Sequence, residues 1–439
     1  MRTNGPSPTG TTAARGSRAA SRTVAGTVHE LLGEPPEVRV VGPDGSCAGP
    51  DGGRVLRIRT TRGLSYVATH PGQLGFVRAY LQGDLVVDGM DEAYPYEELK
   101  LLGGLDLRRP PLREVPDLLR MARATGLRVP ELPALETPSE LRKLAHGLRH
   151  GRRRAAEAVQ HHYDVSNRFY ELLLGPSMAY TCAVYPRADA TLEEAQEEKF
   201  DLVCRKLGLE PGMRLLDVGC GWGGMVRHAV RHYGVTALGV TLSRAQATWA
   251  QEAIERDGLT GAEVRHADYR DVTERGFDAV SSIGLTEHIG VRNYGRYFPF
   301  LRDRLRDEGR LLNHCITWRD PDRAPASHTD FVFRYVFPDG ELAASGRIVT
   351  EMERAGLEVQ HHENLRQHYA RTCGAWCENL SAHWEECVAE AGLATARVWG
   401  LYLAGSRLSF ERGGIQLHQV LATRTGADGA TGYPLRPRF

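Results

Sequence analysis

The stretch "RLLDVGCGWGGMVRHAVRHYG" constrains the fold more than any other part of the chain. An apolar run carries an acid near its end, Asp217, and glycines follow at alternate positions, Gly219, Gly221 and Gly223. A helix-like pattern comes next. Glycine allows the tight turn and the close approach of a ligand that a strand–loop–helix junction of this kind needs. The surrounding text keeps the same alternation. "VTALGVTL", "AEVRHAD", "FDAVSSIG", "RLLNHCIT" and "LEVQHHENL" read as strands. "SRAQATWAQEAIERDG", with Ser243 as its N-cap, "VRNYGRYFPFLRDRLRDEG" and "GELAASGRIVTEMERAG" read as helices between them. A long helical stretch follows, and "IQLHQVLATRT" closes as a strand. The alternation predicts an α/β fold with an open, doubly wound sheet.

The chain of 439 residues is long for one domain. Residues 1–25 are basic and of low complexity, without the apolar core of a signal peptide, and read as a disordered arm on a cytoplasmic protein. Residues 26–105 read as a small α+β accessory domain. Its strand-like runs are "EVRVVGPDG", "GRVLRIRTTRG" and "LSYVATHPG", and "FVRAYLQGDLVVDG" adds a short helix and strand. Residues 106–157 form a basic, partly helical linker. Its "LRKLAHGLRHGRRRAAEAVQ" holds six Lys or Arg residues, including Arg152, Arg153 and Arg154: a solvated helix, or a surface for anionic lipid headgroups. The α/β domain spans 158–425, and 426–439 is a tail.

No apolar run approaches the roughly 18–20 residues of a membrane span. The formal net charge is zero, so no global field argues for nucleic acid. The eight cysteines are scattered, which fits reduced thiols. Cys373 and Cys377 sit near His368 and His383, yet no CxxC knuckle accompanies them. A packed helix face is the reading preferred over a metal site, and no metal is expected.

A glycine motif alone would leave a nicotinamide cofactor as the default. Here the motif is not at the start of its domain, and the acidic-Gly-x-Gly-x-Gly form resembles motif I of class I methyltransferases, a Rossmann-like fold that binds S-adenosylmethionine. The amino-acid end of that ligand needs an acid for its ammonium, which Asp217 or a neighbour can supply. Thr241, Leu242 and Gln246 would flank its ribose or methionine arm. Asp268 could accept from the adenine amine, with an ordinary turn acid as the alternative, and Tyr269 could stack on the ring.

A wider resemblance covers about residues 158–425. "HHYDVSNRFYELLLGPSMAYTCAVYPRADATLEEAQEEK", "LLDVGCGWGG", "GVTLSRAQ", "IGLTEHIGVRNY", "LLNHCIT" and "QHYARTCGAW" occur in the order seen in the cyclopropane-fatty-acid synthase family. The N-terminal half resembles the accessory domain of the longer bacterial members more loosely. The resemblance implies methyl transfer from S-adenosylmethionine to an acyl-chain olefin, through a carbocation that loses a proton to a bound bicarbonate. By it, Cys182, Glu287, His314, Ile316 and Tyr369 hold the bicarbonate, with Glu287, His314, Tyr369 and Cys182 as the catalytic set. Tyr180, Thr181 and Ile283 join the cofactor contacts. Leu285, Thr286 and Cys315 depart from the residues usual in the family, which puts the shape of the acyl slot in doubt. His288 beside Glu287 reads equally as a structural histidine.

Tyr163, Phe169, Tyr170 and Tyr180, with Phe331, Phe333, Tyr335 and Phe337 of the long 318–339 insertion, are candidates for an acyl tunnel, where ring faces stabilise a cation. For any one of them plain core is the simpler reading. The insertion has the length of a lid. The stretch "LYLAGSRLSFERGGIQLHQVLATRT" and the "GLTEHIG" variant look like the actinobacterial relatives that make 10-methylene and 10-methyl fatty acids, so a 10-methylene product is expected over a cyclopropane. The partners expected are a phospholipid surface, a flavin- or nicotinamide-dependent reductase and a second copy of the chain. The expected location is cytoplasmic and peripheral at the inner membrane face. A small-molecule methyltransferase and a non-catalytic lipid-binding subunit are the rival readings.

Overall fold

The computed structural model describes residues 23–70, 72–103, 122–136, 165–322 and 331–439. The basic cluster Arg152–Arg154 and Tyr163 lie outside them. Elements are numbered here among the described residues.

The C-terminal part of the chain is built on one sheet in the order β11-β12-β9-β8-β5-β6-β7. Its strands are β5 (Arg214–Val218), β6 (Thr236–Thr241), β7 (Ala262–His266), β8 (Phe277–Ile283), β9 (Leu305–Trp318), β11 (Leu357–Asn364) and β12 (Ile415–Arg424). The short β10 (Ala343–Ala344) pairs with β9 off this path. β9, β8, β5, β6 and β7 run parallel, and β12 runs antiparallel to β9 and β11. The central strands read as near-continuous apolar runs because helices cover both faces. The helices are α6 (Leu192–Leu207), α7 (Gly224–Tyr233), α8 (Arg244–Arg256), α10 (Tyr294–Arg304) and α12 (Ser345–Arg354). Ser243 caps α8 as expected, accepting from the Gln246 amide, and Thr191 opens α6 with a complete capping box. The helix expected up to residue 309 stops at Arg304, and residues 305–309 instead begin β9.

The N-terminal unit holds α1 (Val24–Leu31), β1 (Val38–Val41), β2 (Cys47–Ala48), β3 (Arg54–Ile58), α2 (Thr61–Thr69), α3 (Gln73–Leu81), β4 (Leu85–Val87) and α4 (Tyr96–Leu102). Its sheet runs β2-β1-β3-β4. One expectation is corrected: "LSYVATHPG" is not a strand but most of α2. Thr60 caps that helix by accepting from the Gly63 amide, and Leu64, Ser65 and Tyr66 are buried along it.

Four further helices bind the two halves: α5 (Asn167–Leu174), α13 (Arg366–Ala382), α14 (Trp384–Ala391) and α15 (Leu393–Glu411). One hydrophobic cluster runs from Val40 and Leu56 of the N-terminal sheet through Tyr80 to Trp376, Trp399 and Leu403. α15 seats on the segment before α4 so closely that a Cβ at Gly400 would lie 2.5 Å from the Glu92 carbonyl oxygen. Arg397 donates to Glu92 at 2.6 Å. Arg78 of α3 makes a two-point, fully buried ion pair with Glu136, at 2.6 and 2.7 Å. The Tyr335 hydroxyl of α11 (Phe331–Tyr335) donates to the same carboxylate at 3.0 Å. No helix among the described residues is long and apolar enough to cross a membrane.

Removing one member of a buried ion pair leaves the other charge without its counter-ion. Arg78→Met should lower stability by about 3 kcal/mol, the low end for a buried pair, because Tyr335 still donates to Glu136 and the Arg334 guanidinium lies 3.9 Å from it. The Arg78→Met/Glu136→Gln double variant should recover part of the loss. Chemical denaturation midpoints of the three proteins check this.

Candidate functional site

The carboxyl ends of β5, β6, β8 and β9 meet at one edge of the sheet, where ligands of open α/β folds bind. The glycine loop lies at this edge. Gly219, Gly221 and Gly223 all have positive φ, +79°, +54° and +73°. A Cβ at Gly219 would press on Leu285, at 3.0 Å, whereas a Cβ at Gly221 would meet no atom within 4 Å. Open space therefore stands over the middle of the loop, as a ligand lying across it requires. Asp217 is buried beneath, and its Oδ1 accepts from the Ser281 hydroxyl at 2.6 Å. Burial pushes its carboxyl up to about 6.

The other expected cofactor residues divide. Thr241 donates to the Gln246 side chain at 2.8 Å, and both are buried at the start of α8. Leu242 lends its carbonyl oxygen to the His266 ring at 3.1 Å. Ile283 pairs in register with His314. Asp268 accepts from the Arg270 amide at 2.9 Å and Nε at 2.8 Å. Its acceptor capacity is thus shared with an arginine that the sequence reading left out. Tyr269 sets its ring edge-on to Tyr297 and Phe300, each at 5.3 Å.

The strand end at Ile283 turns through Gly284 into the short helix α9 (Thr286–Ile289), which carries Glu287. The Glu287 Oε1 accepts from the Ile316 amide of β9 at 2.7 Å. Its Oε2 is buried with no hydrogen-bond partner. Burial pushes this carboxyl up to about 7. Thr286 anchors the helix by donating to Asn313 Oδ1 at 2.6 Å. The helix is tied to the end of the insertion as well, where the Glu341 amide donates to the Glu287 carbonyl at 2.8 Å.

His314 lies two residues before Ile316 on β9, and its tautomer follows from its neighbours. Lys206 has only protons to give, and its Nζ donates to Gln419 Oε1 at 2.7 Å. The Gln419 Nε2 must then face the His314 Nδ1, 3.2 Å away, and donate to it. His314 Nδ1 is thus an acceptor and Nε2 carries the proton. That N–H is buried without a partner. Burial, with Lys199 and Lys206 nearby, holds the imidazole well below its usual range, so it is neutral.

Tyr369, on the first turn of α13, stacks on Phe410 at 4.4 Å, and burial raises its phenol. The Cys182 thiol is turned to the carbonyl oxygens of Ala183 at 3.2 Å and Leu365 at 3.8 Å, and burial keeps it protonated. It does not line the cavity described next, so the thiol itself is not presented to a ligand there.

A cavity of about 740 Å³ joins Tyr180, Thr181, Gly284, Glu287, Ile316 and Tyr369. His288 also lines it, edge-on to Phe337 at 5.5 Å. Of the tunnel candidates, Tyr180, Phe331, Phe333 and Phe337 lie on its wall. Phe169 and Tyr170 do not; both are fully buried core beside Trp399. Tyr335 is engaged with Glu136. Cys373 and Cys377 are buried along α13. His368 accepts from the Tyr185 amide at 2.9 Å, and His383 pairs with Glu386. No group of three metal-ligating residues occurs among the described residues.

Sequence reasoning missed three polar residues that support the site. Gln196 of α6 donates to the carbonyl oxygens of Ala179 and Thr181 at 3.2 and 2.9 Å, and Lys199 donates to Thr181 Oγ1 at 3.0 Å. Lys199 is 1% exposed, lies 3.6 Å from the centre of the Phe200 ring, and is pulled down to about 7 by burial. Gln419 is the third. The available signal was position: Gln196 and Lys199 fall on the apolar stripe of α6, with Ala195 and Val203.

The chain is similar to known proteins. The family model described as mycolic acid cyclopropane synthetase matches residues 150–420. A probable fatty acid methyltransferase from Mycobacterium tuberculosis is 56% identical over 397 residues, covering 90% of this chain and 92% of its own. A probable fatty acid methyltransferase from Pseudomonas putida is 44% identical, over 65% of this chain and 73% of its own. Among solved structures, the cyclopropane synthase MmaA2 from Mycobacterium tuberculosis aligns with a TM-score of 0.58 at 35% identity, over 61% of this chain and 98% of its own. The mycolic acid cyclopropane synthase CmaA1, complexed with SAH and CTAB, aligns with a TM-score of 0.58 at 33% identity.

Gly221→Val should weaken S-adenosylmethionine binding roughly a hundredfold. A β-branched residue at φ +54° carries about 1–3 kcal/mol of strain, and its side chain fills the open space over the loop. Calorimetric titration of the purified variant checks it; an unchanged Kd would mean that no ligand crosses the loop there.

Proposed function

The chain belongs to the mycolic acid cyclopropane synthetase family and is an S-adenosylmethionine-dependent methyltransferase of that type, and we propose that it methylates the double bond of an unsaturated acyl chain in phospholipid. The observation that carries this reading is a large, mainly apolar cavity whose wall includes Glu287 with its unsatisfied Oε2; His314, whose Nε2 is also unsatisfied, stands two residues before the lining Ile316. When bound, S-adenosylmethionine supplies an electrophilic methyl group on a sulfonium, and bicarbonate supplies a base.

The residues fit both. The glycine loop leaves room for the first. For the second, the His314 N–H is a fixed donor and the ionised Glu287 an acceptor, the two functions that an oxyanion bearing one O–H would satisfy together. Tyr369 closes the same wall of the cavity. Glu287 thus places a proton acceptor on the wall of a mainly apolar space, which would shield a carbocation formed on the acyl chain from water. Tyr180 and Phe337 present ring faces or edges to that space.

Proton loss from the added carbon closes a cyclopropane. A 1,2-hydride shift before that loss gives a methylene branch instead. We favour the 10-methylene product on the resemblance of "LYLAGSRLSFERGGIQLHQVLATRT" and "GLTEHIG" to the actinobacterial relatives. Such a product is the substrate class for a flavin- or nicotinamide-dependent reductase that would leave a 10-methyl branch. Ring closure is the second reading, favoured by the family description. In either case the substrate is met at a phospholipid surface on the inner face of the membrane.

Incubation with S-adenosylmethionine, bicarbonate and oleoyl phospholipid vesicles should yield fatty acids with vinylidene protons in the NMR spectrum. High-field cyclopropyl protons would assign the ring product. No modified acyl chain, with the cofactor bound, would overturn the lipid reading. Glu287→Gln should keep cofactor affinity and lose roughly 10²–10⁴-fold in kcat. Glu287 must be ionised to accept a proton, and its carboxyl sits at about 7. The kcat/KM of the native enzyme should therefore rise with pH through about 7 and fall below it, and the glutamine variant should lack that limb.

A further inference from the structure

The cavity that reaches Glu287 does not end within the methyltransferase domain. Its wall continues through Leu56, Phe76, Tyr80, Leu85, Val87 and Leu99, all in the N-terminal unit. The facing wall is α15, through Leu401, Tyr402, Gly405 and Leu408. We propose that the N-terminal domain is an acyl-binding subsite, which holds one segment of the substrate's hydrocarbon chain and so discriminates among acyl chains by length and double-bond position. This rests on the lipid-substrate reading above.

The chemistry of the wall fits a hydrocarbon. The six residues named are apolar or aromatic, with Gln73, Glu98 and Arg412 as polar members of the same wall, and the volume falls in the range of roughly 300–1,000 Å³ that small-molecule sites occupy. The wall is also fixed. Arg397–Glu92, the close seat of Gly400 and the buried Arg78–Glu136 pair hold the N-terminal unit against α15 and α11. A rigid apolar wall can measure a chain; a loose one would mould to it. The wall is an addition as well, since the solved cyclopropane synthase MmaA2 is matched over 98% of its length by only 61% of this chain.

Gly405 marks where the gauge is set. Glycine is unfavourable inside a helix, yet it stands in α15 on the cavity wall. A Cβ there would meet a single neighbour, Leu99 Cδ1 at 4.0 Å. A larger side chain would therefore enter the space between α15 and α4 without displacing the backbone of either.

The test is a series in the full-length protein, Gly405→Ala, Gly405→Leu and Gly405→Phe. Each is given mixed phosphatidylglycerol vesicles that carry oleoyl, palmitoleoyl and cis-vaccenoyl chains, and the modified fatty acids are quantified. Palmitoleoyl shares oleoyl's distance from carboxyl to double bond but is shorter beyond it. cis-Vaccenoyl has palmitoleoyl's segment beyond the double bond and a longer one before it. Gly405→Phe should shift the product ratios by roughly tenfold or more, the effect of a methylene or two in an apolar pocket, with native cofactor affinity and a melting temperature no lower. A gain of palmitoleoyl and cis-vaccenoyl over oleoyl would put the methyl-terminal segment in the subsite. A loss of cis-vaccenoyl alone would put the carboxyl-side segment there. Unchanged ratios, or an equal fall for all three chains, would overturn the subsite. Gly405→Leu carries the same test if the Phe variant does not fold. Native protein that modifies none of the three would bring down the lipid reading itself, which keeps the two failures apart.

Discussion

Two polar atoms kept from water without partners, His314 Nε2 and Glu287 Oε2, are the constraint around which the catalytic half is arranged. Each costs about 1–3 kcal/mol to leave unsatisfied, so neither would persist unless its surroundings held it. The surroundings do so through β9. The strand presents the Ile316 amide to one oxygen of Glu287, and two residues earlier it carries His314, which Gln419 on the neighbouring β12 orients. Lys206 fixes the amide of Gln419 and is itself fixed by Glu363 on β11. The chain of donors runs across adjacent strands, and its last proton points from the imidazole. A site assembled in this way needs little reorganisation when an anion arrives, which is the condition under which electrostatic stabilisation is most effective.

One core cluster spans both halves of the molecule, and two smaller ones lie within the methyltransferase domain. The space in front of Glu287 is lined mainly by apolar side chains. The sheet edge alone cannot close it. α13, α14 and α15 cover one side, and the N-terminal unit covers what they leave. The contacts between the parts are those of an interior: Trp399 sits among Phe169, Tyr170, Tyr180 and Tyr402, with ring centres 5.5 to 5.7 Å apart. Most of the polar links between the parts, such as Arg397–Glu92 and Arg407–Tyr94, lie toward the rim of this packing, with Arg78–Glu136 as the buried exception.

The sheet was legible in the sequence because parallel strands buried on both faces are written as unbroken apolar runs, and "LLDVG", "VTALGVTL" and "FDAVSSIG" are such runs. The second helix was not, because "LSYVAT" is short, apolar and partly β-branched, and a run of that length reads as strand or helix alike. The Thr60 cap decided it. Within the site, Glu287 and Tyr369 stood out through family resemblance. Gln419 and Lys206 did not, since their meaning lies in pairings 105 and 213 residues apart in the chain. Cys182 also stood out through family resemblance, and its thiol faces the backbone carbonyls of Ala183 and Leu365. The N-terminal unit has no motif at all, and its contribution emerges only when its apolar faces are seen beside α15.

The division of labour that results separates chemistry from choice. The groups that can move a proton come from α9, β9 and α13 of the methyltransferase domain. Much of the apolar wall comes from a unit that carries no catalytic residue. Fold and reaction are commonly kept while specificity varies at the periphery, and on our proposal that periphery is a whole domain. Changes in Phe76, Val87 or Leu99 alter the shape of the space without touching the hydrogen bonds that orient His314 and Glu287. A chain built this way can alter which acyl chain it accepts while the polar pair, and the dryness it needs, stay as they are.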